Sequence, residues 1–401
     1  MKAEEIGTSA DALGWPDMRR AAFDTLAIHA GQRPDPRHGA VMEPIVLSST
    51  FAQPAPGEPL RYEYSRSGNP TREALESCLA ALEGADFGFA FASGSAATLS
   101  LLHMLKPGDR VACGDDVYGG TYRLLERVMK PFGVGADFVD MRDLSRLEAV
   151  LGERTRLVWM ETPTNPLLKV FDIAAVAELA RGSGVPLVVD NTFASPVLQR
   201  PLELGATVVV HSTTKYINGH SDVVGGALLT NSPELAERLR FLQNAIGAVP
   251  SPMDCYLVLR GVKTLPVRMR RHVELATELS RRLETARGVR RVIYPGLARH
   301  DDHELAVRQM AGGGGMISVE LEGGLEAARA FLGRLKVFTL AESLGGVESL
   351  AEHPALMTHA SIPPEIRARI GIADSLVRLS VGLEDLEDLW ADIEGALAPG
   401  L

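Results

Sequence analysis

From Thr71 onward the chain alternates short apolar runs with segments of helical spacing, and no other feature restricts its fold as tightly. An apolar run at 87–92 precedes a segment opening at Ser93-Gly94-Ser95, 111–113 precedes 120–132, and 136–139 precedes 143–151. The run 157–160 leads through a loop into a segment of helical spacing at 172–181, and 187–189, 208–210 and 227–229 read as further buried strands. Strands this rich in β-branched residues are apolar on both faces, so helices must cover both. The alternation therefore predicts an α/β fold with a mainly parallel sheet. A helix over 71–82, ending near Gly84, stands before it. Residues 233–246 and 255–284 read as long helices, the second bent or broken near Pro266. A smaller C-terminal α/β unit follows, with strands at 292–294, 317–321, 338–340 and 377–379 and helices from Leu325 and Asp385.

This pattern divides the chain into a leader (1–20, poorly ordered), an arm (21–68), a large domain (69–265) and a C-terminal α/β domain (266–401). The stretch 23–68 is rich in proline and shows no sustained period, so it reads as irregular. An irregular segment of that length is usually functional or lies on a partner. The 401 residues are 46% hydrophobic, enough core for two domains, and the net charge of −10 gives no electrostatic reason to expect nucleic acid or an anionic membrane. Cys78, Cys113 and Cys255 form no metal or disulfide spacing, no run reaches transmembrane length, and no signal peptide stands out. The chain is expected to be cytoplasmic.

In open α/β sheets, ligands bind beyond the carboxyl ends of the strands, and the polar residues of this chain gather there. Val208-Val209-Val210-His211 runs into Ser212-Thr213-Thr214-Lys215. Hydroxyls can donate to phosphate oxygens and a lysine amine can condense with an aldehyde, although the same stretch also reads as a strand end with a solvated lysine. Gly94-Ser95 opens a helix whose free amides suit phosphate, or merely makes a tight turn. Tyr118 can stack on a flat ring or be structural. Asn165, before Pro166, has a constrained direction or belongs to an ordinary turn. Asp190 ends a buried strand, where a carboxylate needs a partner: a protonated pyridine nitrogen, a salt bridge or a helix cap. There is neither a GxGxxG nor a GxxxxGK[ST] pattern, and His211, His220 and His359 show no metal spacing.

Seven motifs in order carry a resemblance: 64–71 (YSRSGNPT), 116–121, 161–166, 190–193, 212–223, 342–350 and 378–384. From about Phe23 to Leu397 the chain resembles the Cys/Met-metabolism family of pyridoxal-phosphate enzymes, the transsulfuration group on fold-type I. The resemblance implies that Lys215 holds pyridoxal 5′-phosphate as a Schiff base and moves the Cα proton. It implies that Ser212, Thr214 and the Gly94-Ser95 amides cradle the phosphate, that Tyr118 stacks on the ring and serves as an acid, that Asp190 meets the ring nitrogen, and that Asn165 lies near the phenolic oxygen. Arg378, with Ser343, would clamp the substrate α-carboxylate. Tyr64 and Arg66 would reach a neighbouring subunit's site, which explains the irregular arm and implies a homotetramer of two active dimers.

Within the family, the resemblance leans toward α,γ-elimination of L-cystathionine, with γ-replacement on an O-acyl-L-homoserine by cysteine as the alternative. Glu342 resembles the residue facing the distal amino end of cystathionine, and Arg123 stands where related enzymes contact substrate. Gly120 replaces the cysteine usual in methionine γ-lyases. The aromatic residues usual in β-lyases are missing around Glu342 and Leu344. A catalytically silent binding protein is the remaining reading. Ser95 stands where an apolar residue is common, but the role asked of it is its backbone amide.

Overall fold

The computed structural model describes residues 21–35 and 37–397, and the leader expected at 1–20 lies outside them. The larger sheet is built of β1 (Phe87–Phe91), β2 (Arg110–Gly114), β3 (Gly135–Val139), β4 (Thr155–Glu161), β5 (Leu187–Asp190), β6 (Val208–His211) and β7 (Gly226–Thr230). Their order across the sheet is β1-β7-β6-β5-β4-β2-β3. The period-two alternation explains why this sheet is covered on both faces. Leu157 and Trp159 of β4 and Val188 of β5 pack into one core with the helix Gly94–Leu102. Their neighbours Val158, Met160, Leu187 and Val189 pack into another with the helix Ile173–Gly182. Each such fully buried side chain contributes roughly 1.5–3 kcal/mol relative to exposure.

The four pairings from β6 through β5, β4 and β2 to β3 are parallel. The mainly parallel expectation needs one amendment. No crossover helix separates β6 from β7, so β7 runs antiparallel to both β6 and β1. That reversal makes room at the carboxyl end of β6 for the loop that carries Lys215.

The second sheet contains β8 (Val289–Ile293), β9 (Met316–Leu321), β10 (Thr339–Leu340), β11 (Leu350–Glu352) and β12 (Leu376–Ser380), in the order β10-β11-β12-β9-β8. It is antiparallel except between β10 and β11. The helix Leu265–Leu283 joins the two sheets. Leu265 and Met269 pack in the core beside the first sheet, while Leu275, Ala276, Leu279 and Leu283 pack against the second.

The helix expected at 255–284, bent or broken near Pro266, is two helices, Pro252–Val262 and Leu265–Leu283. The break comes at Lys263-Thr264, and Pro266 sits at the second position of the new helix, where its missing N–H costs nothing. The arm begins with a short helix, Phe23–His29, packed through Leu26 and Ala27, which seven residues are too few to announce by period. The segment expected as one helix at 120–132 starts as α-helix (Gly119–Arg123), widens over Leu124–Met129 and tightens over Lys130–Phe132. Strand β11 and the helices His303–Gln309 and Pro364–Ile370 were not expected from the sequence.

Candidate active site

The carboxyl ends of β1, β4, β5 and β6, the start of the helix Gly94–Leu102 and two loops of the second sheet enclose a cavity of about 360 Å³. Ser93, Gly94, Ser95, Tyr118, Glu161, Asn165, Asp190, Thr192, Ser212, Thr214, Lys215, Glu342, Ser343, Thr358 and Arg378 are among its lining residues.

The floor is set by strand ends. Ser93 caps the helix by accepting from Ala96 N at 3.0 Å, and the two residues before Ala96, Gly94 and Ser95, line the cavity at the helix start. A β-carbon at Gly94 would come within 3.0 Å of Ser212 Cβ, so the missing side chain lets this helix start approach the loop after β6. Thr214 Oγ1 accepts from Gly225 N at 2.9 Å and donates to Gly225 O at 3.2 Å, pinning the Lys215 loop across the β6–β7 reversal.

Asp190 sits at the end of β5. Its Oδ1 accepts from Thr192 N at 3.1 Å and from Thr192 Oγ1 at 2.5 Å, and Thr192 Oγ1 accepts in turn from Ser212 N at 2.9 Å. One carboxylate oxygen is thus saturated by the protein, and the side chain faces the cavity. Burial raises its pKa, opposed by the Thr192 bonds and by His211. Behind it, His211 Nε2 meets Glu83 Oε1 at 2.5 Å, both side chains fully enclosed.

Lys215 Nζ donates to Ser343 Oγ at 2.7 Å. Burial, reinforced by the Arg378 guanidinium, pulls its pKa from 10.5 down to about 8, against the opposing pull of Glu352 and Glu342. Ser343 holds φ at +91°, a conformation that non-glycine residues rarely adopt. Its side chain is thereby given to Lys215, while its carbonyl accepts from Arg378 Nη2 at 2.8 Å.

Arg378 is 2% exposed. Nη1 donates to Asn165 Oδ1 at 2.8 Å and pairs with Glu352 Oε1 at 2.9 Å, while Nε has no partner. Of its five N–H groups three are engaged, and a guanidinium so enclosed with the Nε–H and one Nη2–H uncommitted is prepared for an incoming anion. Glu352 is held by Thr358 Oγ1 at 2.8 Å, and it faces Arg378 because β11 pairs with β12 in that register.

Tyr118 is 41% exposed, and its backbone N–H donates to Glu161 Oε2 at 3.0 Å. Burial of its ring end raises the phenol pKa, so the hydroxyl keeps its proton at neutral pH. A β-carbon at Gly120 would lie 2.3 Å from Tyr118 Cε1, so only glycine accommodates the ring in this position.

Three residues singled out in the sequence do not line the cavity. Arg123 acts on it at a distance, lowering the pKa of Tyr118 by its charge. Tyr64 is 45% exposed on the arm, with the Arg66 guanidinium 5.6 Å from its ring centre. Arg66 donates to Asn244 O at 2.9 Å. Conversely, Glu161, Thr192, Thr358 and the Arg378 partner Glu352 were not singled out. Glu161 and Thr192 belong to recognised motifs, but only strand pairing shows them converging; Glu352 lies on a three-residue strand with no period to read. Among the described residues no group of His, Cys, Asp and Glu could hold a metal ion, and no helix is long and apolar enough to cross a membrane. His211, His220 and His359 bond to Glu83 Oε1, Asn218 O and Asn165 O.

A family model described as Cys/Met metabolism PLP-dependent enzyme matches residues 24–398. A cystathionine gamma-lyase of Dictyostelium discoideum is 56% identical over 374 residues, 93% of this chain and 97% of that one. A cystathionine beta-lyase of Coxiella burnetii is 54% identical, covering 94% of this chain and 98% of its own length. The crystal structure of a cystathionine gamma synthase from Xanthomonas oryzae pv. oryzae, in complex with aminoacrylate and cysteine, superposes with a TM-score of 0.92 at 47% identity, over 94% of this chain and 98% of the other.

Proposed function

Since the chain belongs to the Cys/Met metabolism PLP-dependent enzymes, we propose that it cleaves the Cγ–S bond of L-cystathionine by α,γ-elimination and, with uptake of one water, releases L-cysteine, 2-oxobutanoate and ammonia. The observation that carries this reading is the distribution of charge in one cavity. Arg378 is enclosed at depth with an unpartnered Nε, while Glu342 is an exposed carboxylate lining the same space. A substrate with an α-carboxylate at one end and a second ammonium at the other satisfies both. An O-acyl-homoserine by itself offers Glu342 no cation; in the replacement reaction only the incoming cysteine does.

The residues fit pyridoxal phosphate. The Gly94 approach to Ser212 makes a cradle that a side chain would fill, and Gly94, Ser95, Ser212 and Thr214 would hold the phosphate there. Lys215 would bind the aldehyde, Asp190 the ring nitrogen through its uncommitted oxygen, Tyr118 the ring face and Asn165 the phenolic oxygen. When bound, the cofactor supplies an electron-withdrawing ring that takes up negative charge from the substrate Cα.

The chain's own groups do the rest. Arg378 fixes the α-carboxylate and so the orientation of the Cα–H bond. Lys215, with its pKa near 8, releases and accepts a proton at Nζ within the physiological range, and Ser343 Oγ steers it. Tyr118 keeps its hydroxyl proton and can deliver it to the departing sulfur.

The assembly belongs to the same reading. The arm displays Val41, Leu47 and Leu60 at 84, 67 and 72% exposure, surface that a neighbouring subunit would cover, with Tyr64 and Arg66 completing that neighbour's phosphate site in a homotetramer.

Replacement on an O-acyl-homoserine by cysteine is the second reading, favoured by the likeness to a solved cystathionine gamma synthase. Turnover of cystathionine alone, set against turnover of O-acetyl- or O-succinyl-homoserine with cysteine, separates the two. The proposal expects the larger kcat/KM for cystathionine. It also expects Glu342→Ala to raise the KM for cystathionine about tenfold with a smaller change in kcat. A larger kcat/KM for the acylhomoserine, with Glu342→Ala neutral toward cystathionine, would favour the synthase.

A further inference from the structure

Glu161 and Asp190 end adjacent parallel strands and are direct register partners, so their side chains leave the sheet on the same face, side by side. Both line the cavity, and Glu161 is 4% exposed. Two carboxyl groups so close in a dry site cannot both ionise without large cost, so one of them holds a proton.

The surroundings decide which. Asp190 Oδ1 accepts two hydrogen bonds, from the N–H and the O–H of Thr192, and His211 stands behind it. Both influences favour the anion. Glu161 accepts from the backbone N–H of Tyr118 at 3.0 Å and faces the backbone of Asn165. It lies between Asp190 on one side and Asp116, on the loop after β2, on the other. Cys113 of β2 is held as a buried thiol chiefly by its own burial, so it adds no charge beside Glu161. Arg378, a cation that interacts with it, is already engaged by Glu352. Burial and both neighbours drive the pKa of Glu161 well above the ordinary carboxyl range.

We infer that Glu161 is the protonated member of a buried carboxyl pair and a positioning residue for Tyr118, leaving Asp190 as the single anion presented to the ring of the cofactor. The cofactor assignment itself rests on the reading given above. Glu161 thus does two things without touching substrate. It anchors the backbone that places the Tyr118 ring, and by staying neutral it leaves the charge beside the ring to Asp190 alone.

The test uses the protein as purified. An infrared difference spectrum at neutral pH between wild type and Glu161→Gln should contain the carbonyl stretch of a protonated carboxyl. Carboxylate bands in its place would overturn the inference. This readout holds whether or not the cavity binds pyridoxal phosphate, so it can fail or succeed independently of that reading. The second arm measures cofactor affinity by visible absorbance. Glu161→Ala should weaken it about tenfold or more by releasing Tyr118, and Glu161→Gln, which copies the neutral acid, should restore most of the loss. A glutamine variant that binds the cofactor as weakly as the alanine one would show that the negative charge is required and would overturn the inference.

Discussion

At the scale of single residues, the site depends on environments that change what ordinary side chains can do. Lys215 is the clearest case. With its pKa lowered from 10.5 to about 8, the share of neutral amine at pH 7 rises by about two orders of magnitude. The group is lowered in the folded protein, so the neutral form is gained as pH rises through about 8 and lost below it. The rate at which cofactor-free protein recombines with pyridoxal phosphate should therefore climb with pH to a midpoint near 8. Arg378→Met, which removes a cation and leaves Glu352 unopposed, should move that midpoint upward. A wild-type midpoint near 10.5 would show that the amine is not desolvated. Much of this constellation was legible in the sequence, because Lys215, Asp190, Tyr118 and Arg378 fall within the motifs that carry the family resemblance; the apolar runs before the first three only placed them at strand ends. What was not legible depended on pairing between distant strands. Nothing near Glu352 in the chain announces that it faces Arg378, and nothing near Glu161 announces Asp190.

At the scale of elements, the sequence signal was strong wherever a segment had length and period, and weak where it had neither. The helix expected at 233–246 is observed as Pro233–Ile246, capped by Ser232 at one end and by Gly247 in the left-handed conformation at the other. Strand β11 has three residues, and the helix Phe23–His29 has seven, too few for periodicity to speak. Antiparallel β7 was hidden for a different reason: hydropathy reports burial but not direction. The helix Leu265–Leu283 carries a mechanical role because it packs in both cores. Leu279 is fully buried on the side facing the second sheet, and Leu279→Ala should cost about 2–5 kcal/mol. Urea unfolding with intrinsic fluorescence measures this, and a loss below about 1 kcal/mol would mean that this side of the helix is loosely packed.

At the scale of the whole molecule, the cavity of one chain gathers Lys215, Asp190, Tyr118 and Arg378, the groups proposed for the aldehyde, ring nitrogen, ring face and α-carboxylate, while Tyr64 and Arg66 stand outside it on the arm. If the arm completes a neighbour's site, subunits of Arg66→Ala and Lys215→Ala, each weak or inactive alone, should recover activity when mixed and allowed to exchange. The recovered activity should approach that of one intact site in a mixed dimer. Exchange verified by mass, with no recovery, would place both residues in roles within their own chain. The central claim concerns which bond the assembled site breaks. The most direct measurement is the identification of products from L-cystathionine incubated with the purified, yellow protein. Cleavage at Cγ predicts 2-oxobutanoate and cysteine in equal amounts with ammonia; pyruvate with homocysteine, or no turnover, would contradict it.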